Sequence, residues 1–347
     1  MARRLLILVS FLILLQGCGE GEKEEVGGVV ITENIVSNTT WQSGKVYLIK
    51  TWDLGVEATL IIEPGVIVKF TPDGQSLTLG DNGTIIAGGT PQDPIVFTSY
   101  KDDAHGGDTN GDGDSTQPAA GDWYSINTNG QQGSIFDHCE FYYGGGGPYD
   151  STLDLFSSRA TVTNCVFAHN RGGENGVLDA SAALSGTIIK GNTFYDNEKP
   201  ILINTTFDID DSNTFHNPDD LSQTNLLNGI FLDYPDAIEN RHITWLETEV
   251  PFVIDHNDFW IDETGSLTLG DNVIIKFMPD STLNHYGNLI NHDGAGVFFT
   301  SYKDDAHGGD TNGDGSATVP GDGDWDGIYN DNTGEYETWG NILYDQH

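Results

Sequence analysis

The sequence predicts an all-β fold, a right-handed single-stranded parallel β-helix (solenoid) with an N-terminal signal segment and two long acidic loops. Three observations lead there. Short β-branched runs such as Ile61-Ile62 and Val66-Ile67-Val68 are broken by Gly, Pro and Asp, and helical periodicity is hard to find after Leu15. Phe141, Phe167, Phe194 and Phe215 recur at steps of 26, 27 and 21 residues, the length of one solenoid turn. The stretch FTSYKDDAHGGDTNGDG, from Phe97 to Gly113, returns letter for letter from Phe299 to Gly315. Right-handedness follows from the general crossover preference.

The elements follow in chain order. Arg3 and Arg4 precede an apolar run from Leu5 to Leu15, too short to span a bilayer and patterned as an export signal over residues 1–17. Leu15-Gln16-Gly17-Cys18 resembles a bacterial lipoprotein lipobox, which implies lipidation of Cys18 and attachment to the outer membrane or cell surface. Residues 18–40, opening on a Gly- and Glu-rich stretch, read as a flexible tether and N-terminal cap.

Residues 41–347 form the solenoid. Within it, 41–140 and 245–347 are an internal repeat, and 141–244 are intervening turns. TLIIEPGVIVKFTPD (59–73) aligns with SLTLGDNVIIKFMPD (266–280), and GDWYSI (121–126) with GDWDGI (323–328). The offset of about 205 residues spans several turns rather than one. Two residues before each recurring Phe stand Cys139, Cys165, Asn192 and Asn213. Residues two apart share a strand face, so the Phe rings should stack inward, with the Asn side chains in a ladder about 4.8 Å per step. Stacking in register gives Cys139 and Cys165 parallel Cβ vectors, which disfavours a disulfide and predicts two buried thiols. The series resembles the parallel β-helix repeat of pectate-lyase-like and bacterial surface proteins. The second copy stops at His347 inside a turn that the first copy continues, so the expectation is either that the chain is a fragment or that another protein covers that end.

The duplicated string carries the chemistry. Asp108-Thr109-Asn110-Gly111-Asp112-Gly113 and Asp310-Thr311-Asn312-Gly313-Asp314-Gly315 place oxygens at positions one, three and five and Gly at six, the first half of a calcium loop. An EF-hand is excluded, because its twelfth position is Ala119 or Gly321 rather than Glu. Asp108, Asn110 and Asp112 are the candidate Ca²⁺ ligands in the first copy, completed from Asp103 or Asp122; Asp310, Asn312 and Asp314 are those of the second, completed from Asp305 or Asp324. Asp102 and Asp304 are further candidates. From Asp102 to Asp122, and again from Asp304 to Asp324, six acids occur with no base, a concentration that calls for a counter-ion. His105 and His307 stand alone and read as loop partners rather than ligands.

Charge narrows the function classes. The 347-residue chain holds 14 Lys and Arg against 53 Asp and Glu, and only 37% of it is hydrophobic, which fits a long thin core. A formal charge of −39 excludes nucleic acid and opposes polyanionic substrates. The resemblance brings polysaccharide lyases and glycoside hydrolases into view, but Arg159, Arg171 and Arg241 match no lyase motif. The preferred reading is a non-catalytic, lipid-anchored, calcium-binding protein for surface adhesion or glycan binding, its partners the membrane and a polysaccharide or another surface protein. Tyr142, Tyr143, Tyr149 and Trp260, beside the open backbone of Gly144 to Gly147, are candidates for stacking on sugar rings.

Overall fold

The computed structural model describes residues 22–25, 27–130, 133–147, 151–233, 237–255 and 258–347. The signal segment, Cys18 and Tyr149 lie outside the described residues. Within them the chain is a parallel β-solenoid without helices. Strand structure begins at Glu22–Glu25, which pairs antiparallel with Gly28–Ile31. From there three parallel sheets wind about one core. The first runs from Gly28–Ile31 to Thr193–Tyr195, the second from Asp53–Val56 to Phe298–Ser301, and the third from Thr39–Trp41 to Ile188–Lys190. The second is ten strands deep and joins both copies of the repeat in one body.

The copies do not occupy the same faces. Ile67–Phe70 and Ile95–Ser99 belong to the first sheet, whereas their counterparts Ile274–Phe277 and Phe298–Ser301 belong to the second. The change happens between them. The first sheet ends at Thr193–Tyr195 and the Thr193–Thr214 bridge, where the hairpin of His216–Asn217 and Asp220–Thr224 takes up the chain. A new sheet then opens at the Ile238–Ile261 bridge and continues through Thr282–His285 to Gly327–Asn330.

Inside, alternation does what the pattern predicts. Phe97, Phe141, Phe167, Phe194 and Phe215 are buried and stacked in series, with centroids 5.1, 4.6, 5.0 and 5.5 Å apart. That spacing is the strand spacing of a parallel sheet, so the rings inherit their stacking from the backbone ladder. Asn192 accepts from the N–H of Cys165 at 3.0 Å, and Asn213 from that of Asn192 at 3.1 Å. Each buried amide thus satisfies the turn before it. A second ladder runs through Asn170, Asn197 and Asn225, with Asn197 Nδ2 donating to Asn225 Oδ1 at 2.9 Å. Cys139 and Cys165 are free, buried thiols near the carbonyls of Ala87 and Phe136. Burial, with Cys165 beside it, pushes the Cys139 thiol well above its ordinary value.

Candidate metal centres

Each acidic loop leaves a sheet after a Ser and re-enters after a Trp. In the first copy Ser99 Oγ donates to Asp122 Oδ2 at 2.7 Å, and Lys101 Nζ meets Asp122 Oδ1 at 2.7 Å. In the second, Ser301 and Lys303 hold Asp324 in the same way, at 2.7 and 2.6 Å. Trp123 and Trp325 are fully buried, and their indole N–H groups donate to the carbonyls of Tyr142 and Leu343. The two ends of a long excursion are therefore tied before the loop itself does anything.

At the entrance, Asp102 is buried and accepts from Thr98 at 2.6 Å, from His105 at 2.7 Å and from the N–H of Ala104 at 3.1 Å. Burial alone would raise Asp102, but the bonds from His105 and Thr98 outweigh it and hold the carboxyl below its usual range. The same bond raises His105. Asp304, with Thr300 and His307, repeats the arrangement.

Beyond that entrance the loop turns on itself. Gly111 and Gly113 have φ of +74° and +62°, a left-handed backbone open to glycine at little cost. The turn aims the N–H groups of Gly111 and Gly113 at Asp108, at 2.7 and 2.9 Å. Asp310 receives Asp314 and Gly315 in the second copy, at 3.2 and 2.8 Å. The result is a cluster. One carboxylate oxygen from each of Asp103, Asp108 and Asp112 lies within 4.8 Å of the others, and Asp305, Asp310 and Asp314 are gathered likewise. The Oδ1 atoms of Asp103, Asp112 and Asp305 are buried without a hydrogen-bond partner. Burial, then the charges of Asp108, Asp112 and Asp114, raises Asp103; burial and Asp310 raise Asp305. A gathered set of carboxylates that includes buried, partnerless oxygens is what a hard cation with oxygen ligands would complete.

Of the residues expected from sequence, the structure brings Asp103, Asp108 and Asp112 together, and Asp305, Asp310 and Asp314. Asp122 and Asp324 sit at the loop exits, held by Ser and Lys. Asn110 Oδ1 accepts from Asp112 N at 3.2 Å and its amide donates to Thr116; Asn312 bonds Asp314 and Thr318 in the same manner. Both asparagines thus shape the loop from within. Tyr142 and Tyr143 are packed with His105 and His169, and Trp260 is 37% exposed.

Two residues escaped the sequence reading. Lys69 and Lys276 point outward from their strands, yet each is 0% exposed because the loop folds back over it. Lys69 Nζ donates to the carbonyls of Asp102 and Gly107 at 2.7 and 2.8 Å. Lys276 Nζ donates to the carbonyl of Gly309 at 2.6 Å and to Thr311 Oγ1 at 2.8 Å. The signal was available: IVKF and IIKF place one base at the same position of an otherwise apolar strand in both copies. Comparison with known proteins returns no matching family model, no matching curated protein and no matching solved structure.

Proposed function

We propose that the chain is a non-catalytic solenoid of the bacterial surface β-helix kind, exported, anchored through a lipid on Cys18, and stiffened by one Ca²⁺ in each acidic loop. Its role in this reading is surface adhesion or glycan contact. The observation that carries it is the twofold recurrence of the gathered carboxylates, Asp103 with Asp108 and Asp112, and Asp305 with Asp310 and Asp314. Calcium suits an irregular loop because it accepts six to eight oxygens in flexible geometry, where magnesium demands an octahedron. Thermal unfolding tests the reading: calcium should raise the melting temperature, EDTA should lower it, and Asp108→Ala combined with Asp310→Ala should abolish the difference. Melting that ignores excess EDTA sinks the calcium assignment. Cys18→Ser should release the protein from membranes.

A second reading, polysaccharide hydrolysis, draws on Asp154 and Asp179. They are in register on adjacent turns of the second sheet. Burial, then the neighbouring Asp179, pushes Asp154 up to about 7, as a general acid requires. Activity on neutral polysaccharides that is lost in Asp154→Asn would establish this reading over the first.

A further inference from the structure

We propose that Lys69 and Lys276 are positioning residues of the two cation sites and set their preference for a divalent ion. This rests on the cation-binding reading above and concerns how those sites are built. Both lysines occupy the outer face of a sheet, at the same step of an apolar row. Val30, Leu48 and Lys69 are in register on the first sheet, and Phe231, Val253 and Lys276 on the second. The next step in each row is Thr98 or Thr300, whose hydroxyl holds Asp102 or Asp304. The lysine therefore lies directly under the entrance of the loop, on a floor that is otherwise apolar.

The ammonium bonds the loop through its backbone. It takes the carbonyls of Asp102 and Gly107 in one copy, and the carbonyl of Gly309 with the hydroxyl of Thr311 in the other. Among the described residues neither ammonium forms an ion pair with a carboxylate. The positive charge thus fixes the peptide groups immediately before Asp108 and Asp310 without taking up their carboxylates, which accept the N–H groups of their own turns and remain within the cluster. A buried ammonium without such partners would be strongly disfavoured, so these bonds are not optional. Its recurrence on two different sheets shows the arrangement belongs to the loop and not to one face of the solenoid.

Charge matching follows. Asp102 and Asp304 lie outside the clusters, bonded by their own threonine and histidine; within each cluster, three carboxylates beside one buried ammonium leave two negative charges, the complement of a single divalent ion. Without the ammonium the same cluster complements a trivalent ion. A lysine that merely repelled the metal would do the opposite of a positioning residue: its removal would tighten calcium binding.

The test uses the full chain and the variants Lys69→Met, Lys276→Met and Lys276→Arg, titrated calorimetrically with Ca²⁺ and with Tb³⁺. In Lys276→Met, one of the two sites should lose about tenfold in calcium affinity while the other is unchanged and reports correct folding. The Tb³⁺-to-Ca²⁺ affinity ratio at the altered site should rise about tenfold, and Lys276→Arg should restore the original ratio. An unchanged ratio, or calcium affinity that holds or rises, overturns the proposal. Lys69→Met repeats the test at the first site should Lys276→Met not fold. If the unaltered chain takes up no calcium, the cation reading fails on its own, and hydrogen exchange in metal-free protein decides the lysine's role. Faster exchange confined to residues 302–326 in Lys276→Met supports the pinning, and exchange equal to the unaltered chain refutes it.

Discussion

Phe70 and Trp123 stack face to face, with ring centroids 4.1 Å apart and planes 2° from parallel. Phe70 ends the strand one turn below the loop, and Trp123 is the residue at which the loop returns to the solenoid. The stack converts a polar excursion of more than twenty residues into a closed unit, because the returning chain must bring its indole to one place. Phe277 and Trp325 do the same at 4.0 Å and 6°. An unanchored excursion of that length would be unusual in a compact solenoid.

The indole should therefore be worth more than its loop. Trp325→Ala removes a fully buried ring and is expected to cost about 3–5 kcal/mol. Trp325→Phe keeps much of the stack but strands the Leu343 carbonyl, for about 1–3 kcal/mol. Urea unfolding midpoints measure both. A loss in Trp325→Ala no larger than in Trp325→Phe would show that packing against Phe277 is not what closes the loop.

Much of this fold was legible because solenoid turns are one-dimensional. The Phe column from Phe141 to Phe215 and the Asn192–Asn213 step could be read from spacing alone, since every turn repeats the same inward position. The ladder through Asn170, Asn197 and Asn225 was legible in part: Asn170 and Asn197 each follow their Phe by three residues. Asn225 breaks that spacing, because the hairpin at 216–224 is inserted after Phe215. The change of sheet between the two copies was not legible. Which face a strand joins depends on where a hairpin ends one sheet and a bridge begins another, and no local pattern encodes that. The candidate site divided along the same line. Spacing within the loop found Asp108 and Asp112, whereas Lys69 reaches the loop only through folding, across more than thirty residues.

Asn197 makes the second ladder testable. It is 3% exposed, accepts from the N–H of Asn170 at 3.1 Å, and donates to the carbonyl of Phe167 at 2.8 Å. Asn197→Ala leaves the Asn170 N–H unsatisfied in the core and removes the amide's bonds to the Phe167 carbonyl and to Asn225, and it should destabilise the chain by about 2–4 kcal/mol. Asn332→Ala, at an exposed position, should cost far less. Equal losses at the two positions would mean the ladder adds nothing to the backbone sheet.

Acid and base should act on different parts of the molecule. Glu247 is 0% exposed; its Oε1 accepts the N–H groups of Thr248 and Glu249 at 2.9 and 2.7 Å, and its Oε2 has no partner. Burial first, helped by the charges of Asp211 and Glu249 and opposed by the two backbone bonds, pushes its carboxyl up from 4.5 to about 7. Glu249 in turn is engaged by His216. The folded value lies above the unfolded one, so the folded chain holds an extra proton across that interval. The stabilisation is complete below pH 4.5 and is lost as pH rises through about 7, up to about 3 kcal/mol. Asp154, also pushed up to about 7, works in the same direction. Asp102 and Asp304 work in the other, since their carboxyls are held low and their contribution is lost only when the pH falls through those depressed values. The unaltered protein should thus melt higher at pH 5 than at pH 8 at fixed calcium. Glu247→Gln should remove a large part of that difference while leaving the loss at low pH in place. A Glu247→Gln protein with the same slope between pH 5 and pH 8 would place the titrating proton elsewhere.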